Sequence, residues 1–293
     1  MKYDLSVIVL NYNFANGIVD CIHSILSSKT SYKYEVLFVD NGSTDNSVRL
    51  VREEFPSQIR IIENGANLGF GKGNNQGIKQ MRGEYCMLLN PDARVSTDTI
   101  EVMMGFLKNR PDVGIATCKV LKQDGTPDLA ARRNFPSLRG AIFRASGLSR
   151  VFLKSTFFNE YNIAGRSVDE SQEIDQCNGA FLMISPACLA QVKGFDEDFF
   201  MYFEDSDLCM RAKMAGFKIW YHPETIVTHI KSPIASRNYR QATVWFHDSM
   251  WLFVRKHYKF GKIKKLLVYL GIRIRMYLLI VKKFIFKQAK VSK

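Results

Sequence analysis

Short apolar runs separated by stretches of helical period set the plan of this 293-residue chain. Residues 5–10, LSVIVL, are continuously apolar and β-branched, as in a strand covered on both faces. Ile18, Cys21, Ile22 and Ile25 then recur at helical spacing within 17–27. A second strand, 34–39, ends in Asp40, and Ser43, Thr44 and Asp45 open a helix that holds 47–54 and stops before Pro56. A strand at 60–63, a helix at 73–81, a strand at 85–89, a helix at 97–109 closed by Pro111, and a strand at 114–120 continue the alternation. This pattern predicts a doubly wound α/β sheet, in which ligands bind beyond the carboxyl ends of the strands. Asn11, Asp40 and Asp92 fall at such ends.

From 124 to 172 the pattern weakens and the chain turns basic and aromatic, which reads as an excursion from the sheet and a mobile acceptor-side lid. Regularity returns at 179–184, through 194–223, and at 226–229, with a helix over 208–215 that ends at Gly216. Within 262–287, ten apolar residues from Ile263 to Ile285 fall in one arc of about 120° at about 100° per residue, and Lys264, Arg275, Lys282 and Lys287 lie outside it. The longest charge-free runs, 266–272 and 276–281, are far shorter than the roughly 20 residues needed to cross a bilayer. A basic helix with an apolar stripe fits the headgroup layer of an anionic membrane; a terminal helix docked on the protein, with solvated lysines, is the alternative.

Charge sharpens this picture. The chain carries 41 Lys and Arg against 28 Asp and Glu, a formal excess of 13. No acidic residue follows Asp248, and the 13 basic residues from Arg255 to Lys293 account for the whole excess. No nucleic-acid motif accompanies the charge, so nucleic acid is not expected as a partner. The six cysteines are scattered without zinc spacing and read as reduced thiols. The N-terminal apolar run is short and follows Asp4, so it reads as a strand and not a signal peptide, and the chain is expected in the cytoplasm.

Four segments carry candidate chemistry. In VDNGSTD, 39–45, Asp40 stands at a strand tip, able to accept from a ribose hydroxyl or a base N–H, or simply to cap its turn. In NLGFGKGNNQG, 67–77, Asn67, Gly69 and Asn74 allow close approach of a nucleotide, or form an ordinary helix-capping loop; the spacing is not the dinucleotide fingerprint. In Asn90-Pro91-Asp92 a single carboxylate, joined by diphosphate oxygens, suits Mg²⁺ or Mn²⁺, with a helix cap as the alternative. Glu204, Asp205 and Asp207 crowd one helix start, where the dipole favours one or two carboxylates but three call for a cation or a proton to move. His229 ends an apolar strand, as a structural residue or a metal ligand.

Taken in order, SVIVLNYN, VDNGSTD, NLGFGKGNNQG, LLNPDA, NGAFLMI, GFDEDFFMYFEDSDLCMR and the histidine of VTHIKS resemble a family-2 inverting glycosyltransferase, over roughly residues 5–232. The resemblance implies the GT-A fold, a mixed, mostly parallel sheet flanked by helices over 1–232; the basic, apolar-striped helix beyond it reads as part of a helical, membrane-associating region over 233–293. The nearest subgroup is that of bacterial rhamnosyltransferases of O-antigen and polysaccharide assembly. It implies a dTDP-rhamnose or UDP-sugar donor, a lipid-linked or growing glycan acceptor, and work at the inner face of the cytoplasmic membrane. By the same resemblance Asp205 is the catalytic base, with Glu204 beside it. Asn11, Tyr12, Asp40, Asn67, Gly69, Asn74 and Asp92 contact the donor. Asp92 and His229 hold the metal, although Asn90 replaces the first aspartate of the usual Asp-x-Asp motif. A UDP-hexose transferase, a nucleotidyltransferase and a silent nucleotide- or carbohydrate-binding module are the rival readings. LNYNFANG lacks the basic glycine-rich signature of the second, and the intact Asp92 and Asp205 argue against the third.

Overall fold

The computed structural model describes residues 2–137, 139–140, 151–152, 155, 157, 160–163, 166–230 and 238–291, with side chains described to 284. Much of the 124–172 excursion, and with it the lid expectation, lies outside the described residues, as do the domain boundary at 232 and the side chains of Ile285 and Lys287.

The first half alternates as its apolar pattern predicts: β1 (Tyr3–Asn11), α1 (Ala15–Leu26), β2 (Tyr34–Asp40), α2 (Ser47–Glu54), β3 (Arg60–Glu63), α3 (Phe70–Gln80) and β4 (Gly83–Leu89). Then come β5 (Ala93–Val95), α4 (Thr99–Lys108), β6 (Val113–Lys122), β7 (Gln172–Ile174), β8 (Phe181–Ile184), α5 (Pro186–Val192), α6 (Glu204–Met214) and β9 (Lys218–His229). Two long helices follow, α7 (Tyr239–His257) and α8 (Lys262–Val291). The strands form one sheet in the order β3-β2-β1-β4-β8-β6-β9-β5, with β7 also on β9. β1 is parallel to β2 and β4, and β8 runs antiparallel between β4 and β6.

Strand side chains alternate between faces. Leu5, Val7 and Val9 meet Ile18 and Ile22 of α1 and Met103 of α4, while Ile8 and Leu10 meet Ile78 of α3 and Leu208 and Ala212 of α6. That double covering explains why these strands are apolar throughout. β9 is longer than the apolar run at 226–229 suggests. Its register on β6 jumps between Thr117 opposite Tyr221 and Lys119 opposite Ile226, so 222–225 bulge out, and Pro223, which has no N–H to give, sits in the bulge.

α7 is seated on the segment leading into α6. Phe253 is buried against Phe199 and Phe203, and Ser249 Oγ donates to Met201 O at 2.8 Å. α8 packs along α7 through Ile272, Met276 and Tyr269, the last lying 5.0 Å from Trp251 between ring centres, and Arg273 pairs with Asp248. On the opposite side of α8, Ile263, Leu267, Ile274, Tyr277, Leu278 and Val281 face outward and are exposed. The helix is thus docked on α7, and its apolar stripe is turned away from the protein. No helix among the described residues is long and apolar enough to cross a membrane.

Candidate active site

The strand tips of β1 and β2 come together first. Asn11 lies opposite Asp40 in register and is wholly buried; its Nδ2 donates to Ser47 Oγ at 2.9 Å and Ser43 Oγ at 3.2 Å. Asp40 Oδ2 accepts from the N–H groups of Gly42 at 3.1 Å and Ser43 at 2.9 Å, closing the turn with Gly42 at φ +76°. Tyr12 is 38% exposed on the rim.

The glycine-rich segment is consumed internally. Asn67 Oδ1 takes Asn41 Nδ2 and the Gly69 N–H, both at 3.0 Å, and Asn74 Nδ2 donates to Phe70 O at 3.0 Å. Gly69 sits at φ +85°, and a Cβ there would overlap the Phe200 carbonyl, which accepts from Phe70 N–H at 2.8 Å. The close approach that Gly69 permits is therefore made by the 195–203 segment of the chain itself. Asn75, which the sequence did not single out, fixes that segment further: its Oδ1 accepts from Phe195 N–H and its Nδ2 donates to Phe195 O, both at 2.9 Å.

Pairing of β5 with β9 joins the two halves of the second cluster. Ala93 lies opposite His229, and Ile230 N–H donates to Asp92 O at 2.8 Å. His229 Nε2 stands 3.1 Å from Asp92 Oδ1, and its Nδ1 faces Asp128 Oδ2 at 3.8 Å. Burial disfavours a charged ring, yet Asp128 and Asp92 outweigh it and lift the His229 pKa to about 9. An imidazolium thus occupies the negative field between two carboxylates. Among the described residues no three His, Cys, Asp or Glu side chains form a metal cage. A carboxylate and an imidazole in an anionic field fit a divalent ion held largely by substrate phosphates, provided His229 gives up its proton. Asp128 was not among the expected residues; it lies far from both partners in sequence and carries no motif.

The crowded carboxylates at the start of α6 have three different jobs. Tyr202 at φ +70° and Phe203 at φ +65° place the first turn through two left-handed non-glycine residues, a strained lead-in of the kind found at functional sites. Glu204 is buried; burial, then the charge of Asp205, push its pKa well up and favour the neutral acid, and its Oε2 has no hydrogen-bond partner among the described residues. Asp205 Oδ1 accepts from Ser206 N–H at 2.7 Å, while Oδ2 lies 3.8 Å from Arg133 Nη2. Asp207 is structural: it pairs with His257 Nε2 and Arg211 Nε, each at 2.7 Å, and Arg211 reaches on to Val192 O and Gly194 O. Burial thus disfavours the charge of Glu204 and ion pairs hold Asp207, which leaves Asp205, whose Oδ2 has no hydrogen bond among the described residues, as the ionisable group open to a hydroxyl. Arg133 is held above its ordinary pKa in part by the charges of Asp205, 3.8 Å away, and of Asp128.

The N-acetylglucosaminyl-diphospho-decaprenol L-rhamnosyltransferase of Mycobacterium tuberculosis is 28% identical over 240 residues, covering 78% of this chain and 77% of that protein. Rhamnosyltransferase WbbL of Escherichia coli is 25% identical over 232 residues, covering 76% and 82%. Among solved structures, the mannosyltransferase PcManGT of Pyrobaculum calidifontis, in complex with GDP-Man and Mn²⁺, superposes with a TM-score of 0.59 at 20% identity, over 95% of this chain and 71% of that one. The fold is accordingly that of the GT-A glycosyltransferases. The model of "Glycosyl transferase family 2" matches residues 6–176, a span that takes in Asn11, Asp40, Asp92, Asp128 and Arg133 and stops short of Asp205. With more than half its length matched in this way, the chain belongs to glycosyl transferase family 2.

Proposed function

We propose that the protein transfers a sugar, rhamnose in first place, from a nucleoside-diphosphate donor to a hydroxyl of a lipid-linked glycan, with inversion, in the synthesis of a cell-surface polysaccharide. The observation that carries this reading is Asp205, whose Oδ1 is held by the Ser206 N–H at 2.7 Å while Oδ2 makes no hydrogen bond among the described residues. The names of the mycobacterial and Escherichia coli relatives favour rhamnose, and the decaprenol-linked acceptor of the first favours a lipid diphosphate. PcManGT with GDP-Man and GalNAc-T7 with UDP, both with Mn²⁺, keep a different hexosyl donor as the second reading.

In this mechanism Asp205 Oδ2 takes the proton of the acceptor hydroxyl as that oxygen attacks the anomeric carbon from the face opposite the departing diphosphate. Neutral Glu204 keeps a second negative charge away from the base. Asn11 and Asp40 hold the floor of the nucleoside end, with Tyr12 at its rim. Asp92 and His229 are the residues that would hold a divalent cation, which, when bound, offsets the charge developing on the diphosphate. Asp205→Asn should abolish transfer and leave donor binding, read by thermal shift with nucleotide sugars and Mn²⁺, nearly intact. Retained turnover would remove Asp205 from this role.

The helix α8 supplies a place of work. Its outward stripe is bordered by Lys264, Arg275 and Lys282, all exposed, which matches an anionic lipid surface better than a second protein. We place the protein on the inner face of the cytoplasmic membrane, where a lipid-linked acceptor would be reached. Removing 262–293 should release it from anionic liposomes on sedimentation; co-sedimentation unchanged by the deletion would refute the anchoring.

A further inference from the structure

Arg133 lies beyond β6, in a stretch whose basic residues carry no motif. It is laced to the start of α6 from two sides. Its N–H donates to Gln176 O at 3.0 Å, and Gln176 N–H returns a bond to Arg133 O at 2.9 Å. Gln176 Nε2 donates to Asn134 O at 2.7 Å, and its Oε1 accepts from the hydroxyl of Ser206, the neighbour of Asp205. The backbone that carries Arg133 is therefore fixed to the residue that carries one hydrogen bond of the base.

The guanidinium itself is largely buried, with the side chain 19% exposed. Nη1 donates to Tyr161 Oη at 3.0 Å, Nη2 stands 3.8 Å from Asp205 Oδ2, and Nε has no acceptor. Among the described residues it is the cation that pairs with Asp205. The separation matters. A charge-assisted hydrogen bond near 2.8 Å would occupy the oxygen that must receive a proton. At 3.8 Å the positive charge still attracts the carboxylate, while the lone pairs of Oδ2 stay available to a hydroxyl. The charge also offsets the cost of keeping an ionised carboxylate beside Glu204 in a site where the Asp205 side chain is only 15% exposed.

We infer that Arg133 is a positioning residue for the base: it aims Asp205 Oδ2 at the acceptor hydroxyl and holds the carboxylate in place by charge without consuming that oxygen. This rests on the reading of Asp205 as the base. A positioning error of about 1 Å at a reacting group costs on the order of a hundredfold in rate.

The test is steady-state kinetics with the full-length chain, a nucleotide-sugar donor and a lipid-diphosphate glycan acceptor. Arg133→Met should lower kcat about a hundredfold with donor KM unchanged, and Arg133→Lys, which keeps the charge but loses the fork, about tenfold. In Arg133→Ala, added guanidinium chloride should restore part of kcat, and sodium chloride at equal ionic strength should not. Thermal melting establishes that each variant is folded; if the Met variant is not, the Lys variant carries the test. Wild-type kcat in the folded Met or Lys variant overturns the inference. So does a raised donor KM with kcat kept, which would make Arg133 a donor-binding group. Asp205→Asn separates the two claims: an active Asp205→Asn removes the base reading itself, whereas an inactive Asp205→Asn beside a fully active Arg133→Met removes only the role of Arg133.

Discussion

His257 Nε2 lies 2.7 Å from Asp207 Oδ1, so the last turn of α7 is bonded to the first turn of the helix that carries Asp205. Both side chains are almost fully buried. His257→Ala leaves a buried carboxylate with Arg211 as its remaining partner, and the loss should be about 2 kcal/mol of stability. Urea denaturation would read it as a lower midpoint. Transfer activity should fall as well, since the register of Asp205 depends on the same turn.

Glu204→Gln tests the neutral acid. Because burial and the Asp205 charge push the Glu204 pKa well up, towards the protonated form, its isosteric amide should preserve transfer within roughly threefold, an energy difference under about 1 kcal/mol. Loss of activity comparable to that of Asp205→Asn in a folded Glu204→Gln variant would contradict the assignment.

Gly69→Ala should be far more damaging than its size suggests. The backbone conformation at φ +85° disfavours a side chain, and the new methyl would meet Phe200 O in the segment that leads to Asp205. A cost of about 1–3 kcal/mol is expected, together with reduced kcat, checked by melting temperature and kinetics.

At the other end of the sheet, Glu35 gives a signed pH dependence. Burial raises its pKa, but the Ser6 hydroxyl at 2.7 Å, Arg60 Nη1 at 2.9 Å and the Arg82 N–H at 2.6 Å outweigh it, so the folded value lies below the ordinary 4.5. The folded state thus binds this proton less readily than the unfolded one. Its contribution is complete above the unfolded pKa and is lost as pH falls through the lower folded value. Glu35→Gln should be less stable at pH 7 and show a shallower loss of stability in acid, measured as unfolding free energy against pH.

The sheet was legible because its strands are covered on both faces: β1 and β2 extend the apolar runs at 5–10 and 34–39 by one or two residues at most. α6 begins at Glu204, so the carboxylates do make its first turn as their crowding suggests, but that their burial depends on distant partners was not legible. Asp92 and His229 were recognisable by their places at strand ends, and β5–β9 pairing brings them together. Asp128 and Arg133 were not, since their roles arise from contacts with His229 and with Asp205, far along the chain across an irregular stretch without periodicity. The pairing of Asp207 was illegible for the same reason: its partner His257 lies fifty positions later.

The two-sided seating of α8 has a consequence for how quickly the protein can settle on a surface. Since the contacts with α7 use the flank opposite the greasy ridge, nothing has to unlatch or fold before that ridge is presented. For the proposed membrane role, the ordering entropy is spent when the chain folds, so arrival and departure would be governed by encounter and by charge, with salt the natural dial on residence.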